Sequence, residues 1–513
     1  MQRAILFLAQ RMWLQALLIG VAYFLMQLSF ISQYGVSWDE PLHRSWGELL
    51  WMYWQSGEKQ YIDSMPGYGM YYGPLYYFVN FLLSSWLYEH GWMSFVAANH
   101  MLNIATASAG VSLVFLLGRA LGTWLVAFSA VAFFVLYPQF IAHAQYNPKD
   151  IPLMVSILLT SLLFLRALQS GSRLIFALSG LAFGLSFALK VSALLMAPVF
   201  GITYIVWLCR RHGFFVGLRK EWLTIFCTTV AFLFGAYLFW PSAWLRPSLI
   251  LQSLSLFTGA EFWPGDVLFF GQVYAAADLP WYYTPLEYAM ATPLLLLLFF
   301  IVGTRNVFGR ALKGKDTILL FLLLWVFFPL LVSLKPGLVR YDGIRQFFFI
   351  LPAIILLAAI GFQRLSILLQ QRAKRKRTSS VFAALVLFSL ISEVFLLHPF
   401  EGSYRNEIVR AVFQREMNTR LEIENWGPTY KQGIEWLSAN AKQDAVVCVP
   451  IAELLVSWYP VRPDVQFACS PKTMYLMYFT RHRDANELKK LQSEPVFRLR
   501  RMNADLLKIY EVQ

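Results

Sequence analysis

The chain has 513 residues, 58% of them hydrophobic and only 14% charged, with a mean hydropathy of +0.53. A soluble globular protein carries about 25% charged residues, so this composition excludes a string of soluble domains and points to a membrane protein. The net charge of +14 raises a nucleic-acid reading, which the placement of the charges along the chain then excludes.

In chain order, apolar runs long enough to cross a bilayer are predicted at about 12–33, 95–117, 123–141, 151–168, 174–191, 193–209, 222–240, 286–304, 317–334, 346–363 and 380–397. They give about 11 transmembrane helices. The first run is too long for a signal-peptide core and no small-residue cleavage site follows it, so it reads as an anchor. Loops on the amino-terminal side hold 19 basic residues, from Arg3 and Arg11 to the run Lys374–Arg377, against only Glu221 and Asp316. Loops on the other side hold 8 basic and 12 acidic residues. The positive-inside rule then predicts a cytoplasmic amino terminus and an outer carboxyl tail. The basic excess marks topology and is no nucleic-acid footprint.

Two long outer segments interrupt the spans. In 34–94, Trp46, Leu49, Leu50, Tyr53 and Trp54 recur at helical spacing, which predicts an amphipathic helix lying on the membrane surface. The aromatic stretch from Tyr68 to Trp92 predicts a second. The other outer loop, 241–285, is rich in Trp, Pro and Phe. The division expected is a transmembrane catalytic domain over 1–397 and a small soluble α/β domain over 398–513. Strands are predicted at Ala445–Val449, Val496–Arg500 and Leu506–Glu511, with a helix near Tyr430–Asn440. Cys448 and Cys469 fall in this tail, where a disulfide is permitted but not required by spacing.

Ionisable residues at the ends of membrane helices are costly unless solvated, paired or used, and the outer side has several. Asp39 and Glu40 lie just beyond the first span. Paired carboxylates there can deprotonate a hydroxyl or bind a metal, and Asp39, ahead of Pro41, fits a helix N-cap as well. His143 and the segment Asn147-Pro148-Lys149-Asp150-Ile151-Pro152-Leu153 follow the third span, with an N-cap again open for Asp150. Lys190 sits between two spans with almost no loop, where it must snorkel or neutralise an anion. The loop from Lys335 through Arg340, Tyr341 and Asp342 to Arg345 is basic against the positive-inside trend. That argues for a bound anion such as a phosphate, with internal pairing to Asp342 as the plainer reading. The stretch Gly309–Asp316 mimics a phosphate-binding loop but ends in Asp and follows no strand. The histidines form no zinc-hydrolase pattern.

With these residues in hand, the chain resembles the membrane-embedded glycosyltransferases of the GT-C fold, in the branch of protein O-mannosyltransferases and aminoarabinose transferases (glycosyltransferase family 39-like). The likeness runs over most of the membrane region. It rests on Asp39-Glu40 in the first outer loop, Asp150-Ile-Pro-Leu153, the Gly184-to-Lys190 pattern, Leu279–Pro285, and Tyr341-Asp-Gly-Ile-Arg345 before an aromatic helix. In the tail, His398–Asn406 and Trp426-Gly427 are similar to bacterial relatives, though Glu424-Asn-Trp-Gly427 stands where those usually carry Asp-Tyr-Trp-Gly. Asn-Pro-Lys before Asp150 departs from the Arg- or His-bearing pattern of some branches.

The resemblance implies inverting transfer from a polyprenyl-phosphate-linked sugar to a hydroxyl acceptor of unspecified class, on the periplasmic face of a bacterial inner membrane. It makes Asp39 the general base, with Glu40 in support and Asp150 as a further catalytic carboxylate. Lys149, Lys190, Arg340 and Arg345 become donor-phosphate ligands, and His143, Tyr341 and Asp342 pocket candidates. No cofactor is required, and a divalent metal, though compatible with Asp39, is not indicated. The competing reading is a multi-helix transporter or a lipid-linked sugar flippase, which would put charges near the middle of helices rather than at one end.

Overall fold

The computed structural model describes residues 11–258, 263, 265–313, 316–373, 377–481 and 494–512. Arg3, Lys315 and the Lys374–Lys376 part of the basic run lie outside the described residues, as does Gly314 of the phosphate-loop mimic.

The chain is a polytopic α-helical membrane protein with a small sheet-bearing carboxyl-terminal segment. The first helix, α1 (Met12–Phe30), leads through Asp39 into α2 (Glu40–Ser56) and α3 (Leu75–Glu89). The long α4 (Phe95–Leu121) starts where the Ser94 hydroxyl accepts the Ala97 N–H. Next come α5 (Trp124–Val135), α6 (Pro138–Tyr146), α7 (Asp150–Ser170) and α8 (Arg173–Leu189). Then follow α9 (Ala197–His212), α10 (Phe214–Leu238), α11 (Tyr283–Ala291), α12 (Leu294–Lys313) and α13 (Thr317–Ser333). The last long helices are α14 (Leu351–Ala373) and α15 (Arg377–Leu397), before α16 (Tyr430–Asn440) in the tail.

Among the described residues, eight helices are long and apolar enough to cross a membrane, and the bent pair α5–α6 makes a ninth. The remaining two predicted spans are α8 and α13, apolar but only 17 residues each. Two predicted segments differ in shape. The run 123–141 is broken by 64° because Pro138 at the start of α6 cannot continue the ladder of α5. The run 286–304 is split by Thr292-Pro293 into α11 and α12, which moves the long helix toward the basic end.

The α7–α8 hairpin sets the site. Gly171, at a left-handed φ of 68°, ends α7, and the Ser172 hydroxyl caps α8 by accepting the Ile175 N–H. A hairpin of two helices returns the chain, so Asp150 at the start of α7 and Lys190 after α8 share one end. Elsewhere α12 and α14 cross with their backbones in contact. A Cβ on Gly303 would fall on the Leu357 carbonyl and one on Gly361 on the Phe299 carbonyl, so only glycine fits. Around this crossing the main apolar core collects Phe133, Phe299, Trp325 and Phe362.

In the tail, five strands run in the order β4 (Gln466–Phe467), β3 (Val446–Cys448), β5 (Tyr475–Phe479), β7 (Ala504–Glu511), β6 (Phe497–Arg501). The β3 strand pairs parallel with both its neighbours, and β7 pairs antiparallel with both of its own. The strands at β4 and β5 were not expected from the sequence. Cys448 and Cys469 are joined by a disulfide. This sheet shares a core with the outer loops: Leu421 bridges to Phe269 of a hairpin, β1 (Asp266–Phe269) and β2 (Gln272–Ala275). Val36, Tyr283 and Tyr341 pack into the same cluster as Tyr430 and Phe479.

Candidate active site

Asp39 stands at the N-cap position of α2, but its carboxylate makes no capping hydrogen bond. It turns instead toward cations, with Oδ2 2.6 Å from an Arg345 Nη and 3.4 Å from Lys149 Nζ. Asp150 does not cap α7 either. The Asn147 side-chain oxygen accepts the Asp150 N–H at 2.9 Å, which leaves the Asp150 carboxylate free to take Lys190 Nζ at 2.7 Å and Arg345 Nε at 3.2 Å. Arg345, in a 3-10 turn before α14, gives its remaining nitrogen to Asp342 at 2.7 Å. One guanidinium thus binds three carboxylates from three separate segments, a density of charge that only a functional or strongly specified site tolerates.

The Asp39 side chain is 24% exposed, whereas that of Asp150 is fully buried. Of the two carboxylates, only Asp39 opens to the cavity that Lys149 and Arg345 also line. Burial alone would raise the Asp39 pKa; Arg345 and then Lys149 overcome it and hold the carboxyl well below its usual range. For Lys149 burial dominates and lowers the pKa, opposed by Asp39.

Asp39, Lys149, Tyr341, Asp342 and Arg345 line a cavity of about 740 Å³ whose walls are rich in aromatic rings, among them Trp38, Trp46, Tyr72, Trp263 and Trp426. The tail contributes to the lining as well, with Asn425, Pro450–Ala452, Trp426, whose ring lies 4.2 Å from the Arg345 guanidinium carbon, and Arg481, which follows β5. Arg481 and Trp38 carried no signal in the sequence beyond ordinary composition; Trp426 stood in a recognisable tail motif without a role. A second cavity, about 840 Å³ and almost wholly apolar, runs between α1, α4, α7 and α8. Its lining begins at Gly73, Pro152 and Leu189, next to Tyr72, Asp150 and Lys190. The two cavities share no lining residue, and Asp150 and Lys190 of the charged cluster lie close in sequence to residues that line the apolar one.

Three candidates stand elsewhere. Arg340, an expected phosphate ligand, is 1% exposed and spends its guanidinium on the carbonyls of Leu279, Pro280, Trp281, Ser333 and Leu338. It pins the outer loop and does not line the cavity. Glu40 turns away from Asp39, accepting the Ser37 N–H and facing His100 Nε2 at 3.0 Å. His143 lies behind the wall, its ring edge-on to Trp426 and its Nδ1 against Asn147. Among the described residues no group of three or more His, Cys, Asp or Glu is arranged to hold a metal ion.

No family model matches the chain, and no curated protein matches it. Among solved structures it is similar to ArnT from Cupriavidus metallidurans bound to undecaprenyl phosphate, at 12% identity and a TM-score of 0.49 over 97% of each chain. It is also similar to the apo oligosaccharyltransferase of Archaeoglobus fulgidus, at 12% identity and a TM-score of 0.49 over 91% of this chain and 69% of that one.

Proposed function

We propose that this chain is an inverting glycosyltransferase that moves a sugar from a polyprenyl-phosphate donor to a hydroxyl acceptor on the periplasmic face of the inner membrane. The observation that carries the reading is the charged cluster itself, whose Asp39, Lys149 and Arg345 line an aromatic, polar cavity suited to a sugar. Pro152 and Leu189, two residues after Asp150 and one before Lys190, line an apolar cavity suited to a prenyl chain. Lys149 and Lys190 each spend one of three N–H groups on a carboxylate, so both have donors left for phosphate oxygens.

In the transfer, the acceptor oxygen attacks the anomeric carbon from the face opposite the phosphate, and its proton passes to the Asp39 carboxylate. The bond from the anomeric carbon to the phosphate oxygen breaks with its electron pair going to that oxygen. The phosphate thereby gains one negative charge, which Lys149, Lys190 and Arg345 stabilise. In the empty site Asp39 is a poor base because Arg345 and Lys149 stabilise its charged form. A donor phosphate that draws Lys149 to itself and brings its own negative charge beside the carboxylate returns the basicity when it is needed.

A flippase would use the same cations and apolar cavity but has no task for a base exposed in a sugar-sized cavity. Glycolipid and glycoprotein profiles of cells with and without the gene separate the two. Transfer predicts a glycan that disappears with the gene; a change confined to the sidedness of a lipid-linked sugar would contradict it.

A further inference from the structure

Arg345 presents a difficulty for any phosphate reading, since its single positive charge already faces three carboxylates, although one N–H remains on each Nη. For that charge to serve a phosphate, one of the carboxylates must turn to another cation. Asp150 is fully buried with Lys190, and Asp39 is the base. Asp342 differs from both, because it alone has replacement partners from the carboxyl-terminal segment. Its Oδ2 also accepts the Trp426 indole N–H at 3.0 Å, and its Oδ1 lies 3.2 Å from an Arg481 Nη. Asp342 also holds a left-handed φ of 53°, rare for a residue with a side chain, followed by Gly343 at 65°. That turn directs its carboxylate between the two arginines.

Resting on the donor reading above, we infer that Arg481 is a positioning residue, which takes Asp342 from Arg345 when the donor phosphate arrives and so frees one arm of Arg345 to bind it. The carboxyl-terminal segment is then part of the donor site rather than an appendage. The step moves no covalent bond: an Arg345–Asp342 ion pair gives way to an Arg345–phosphate pair, while Asp342 keeps Arg481 and Trp426. Arg481 is well set for this task. It is anchored by donating to the Asn425 carbonyl at 3.0 Å, and its guanidinium carbon lies 5.5 Å from the Trp38 ring centre.

The test uses the purified full chain, farnesyl phosphate as the probe, and quenching of indole fluorescence as the readout. Wild type binds the probe. R481Q weakens binding at least about tenfold, R481K less, and D342N in the R481Q background restores affinity to within about threefold of wild type. A purely structural role for Arg481, or direct contact with phosphate, is not rescued by removing the Asp342 charge. An R481Q/D342N double variant no better than R481Q overturns the inference, and so does R481Q binding like wild type. Failure of wild type to bind farnesyl phosphate instead overturns the donor reading.

A ligand-free arm then decides whether Arg481 shares Asp342. The charged groups facing Asp342 are Arg345 from its own segment and Arg481 and Glu422 from the tail, with the Trp426 N–H beside them. Removing the Arg481 charge moves the Asp342 titration, read by Trp426 fluorescence, to higher pH, and D342N abolishes it. An unmoved transition in R481Q means that Arg481 does not hold Asp342, and the exchange fails with it.

Discussion

An Arg345 Nη lies 2.6 Å from Asp39 Oδ2, joining residues 306 positions apart in sequence. The pair ties the segment after the first helix to the one before α14, and Lys149 closes on the same oxygen from the α6–α7 turn. Arg345 and Lys149 arrive just before α14 and α7, which pack in the main apolar core, and Asp39 just before α2, which packs in a separate cluster around Trp46 and Leu50, so the packing of these helices sets the geometry.

Topology is tested by reporter fusions after Arg377 and after His398, the two ends of α15. They should report opposite sides of the membrane, with the His398 fusion outside. Two cytoplasmic readings would move the whole charged cluster to the wrong side for periplasmic chemistry.

Lys149→Ala and Lys190→Ala should each weaken lipid-phosphate use by about 2–4 kcal/mol in transition-state stabilisation. Loss of Lys190 also leaves Asp150 buried with one cation fewer, so abundance alone is ambiguous. Lys190→Met combined with Asp150→Asn should recover abundance without recovering binding. Normal kinetics in both alanine variants would remove the lysines from the phosphate site.

Arg340 makes a contrasting case. Its guanidinium binds only carbonyl oxygens, so Arg340→Ala should cost about 2–4 kcal/mol of stability by orphaning buried groups. The protein that remains folded should bind farnesyl phosphate normally. Weaker binding at unchanged melting temperature would return Arg340 to the site.

The sequence made the membrane helices, the topology signal and most of the charged cluster legible, because apolar length and charges at helix ends are local properties. Asp39, Lys149, Asp150, Lys190 and Arg345 all stand against the local trend and all meet. Arg340 shows the limit: a basic residue in an apolar loop looks the same whether it faces a phosphate or five carbonyls. Arg481 and Trp38 were invisible because their importance comes from the tail folding back onto the outer loops, a long-range pairing that no periodicity records. The break at Pro138 was readable in principle, yet the continuous apolar run masked it.

Glu424 provides a pH test of that docked tail. Burial pushes its carboxyl up to about 7 against the backbone N–H groups of Trp426 and Gly427, which it accepts. A raised carboxyl favours the folded state when protonated, so its contribution is fully present below about pH 4.5 and lost as pH rises through about 7. The melting temperature should therefore fall between these values, by an amount corresponding to on the order of 3 kcal/mol. Glu424→Gln, whose amide oxygen still accepts both N–H groups, should remove that component. An identical pH dependence in Glu424→Gln would show that the group is ionised throughout.

The most direct test of the account is the turnover of Asp39→Asn measured beside its abundance in the membrane. The amide keeps the shape but cannot take the acceptor's proton. Sugar transfer should fall at least about 100-fold while the protein accumulates near the wild-type level. Abundance should hold because the Asp39 side chain makes no cap hydrogen bond to lose and Arg345 keeps two other carboxylates. Transfer at the normal rate by Asp39→Asn would contradict the account.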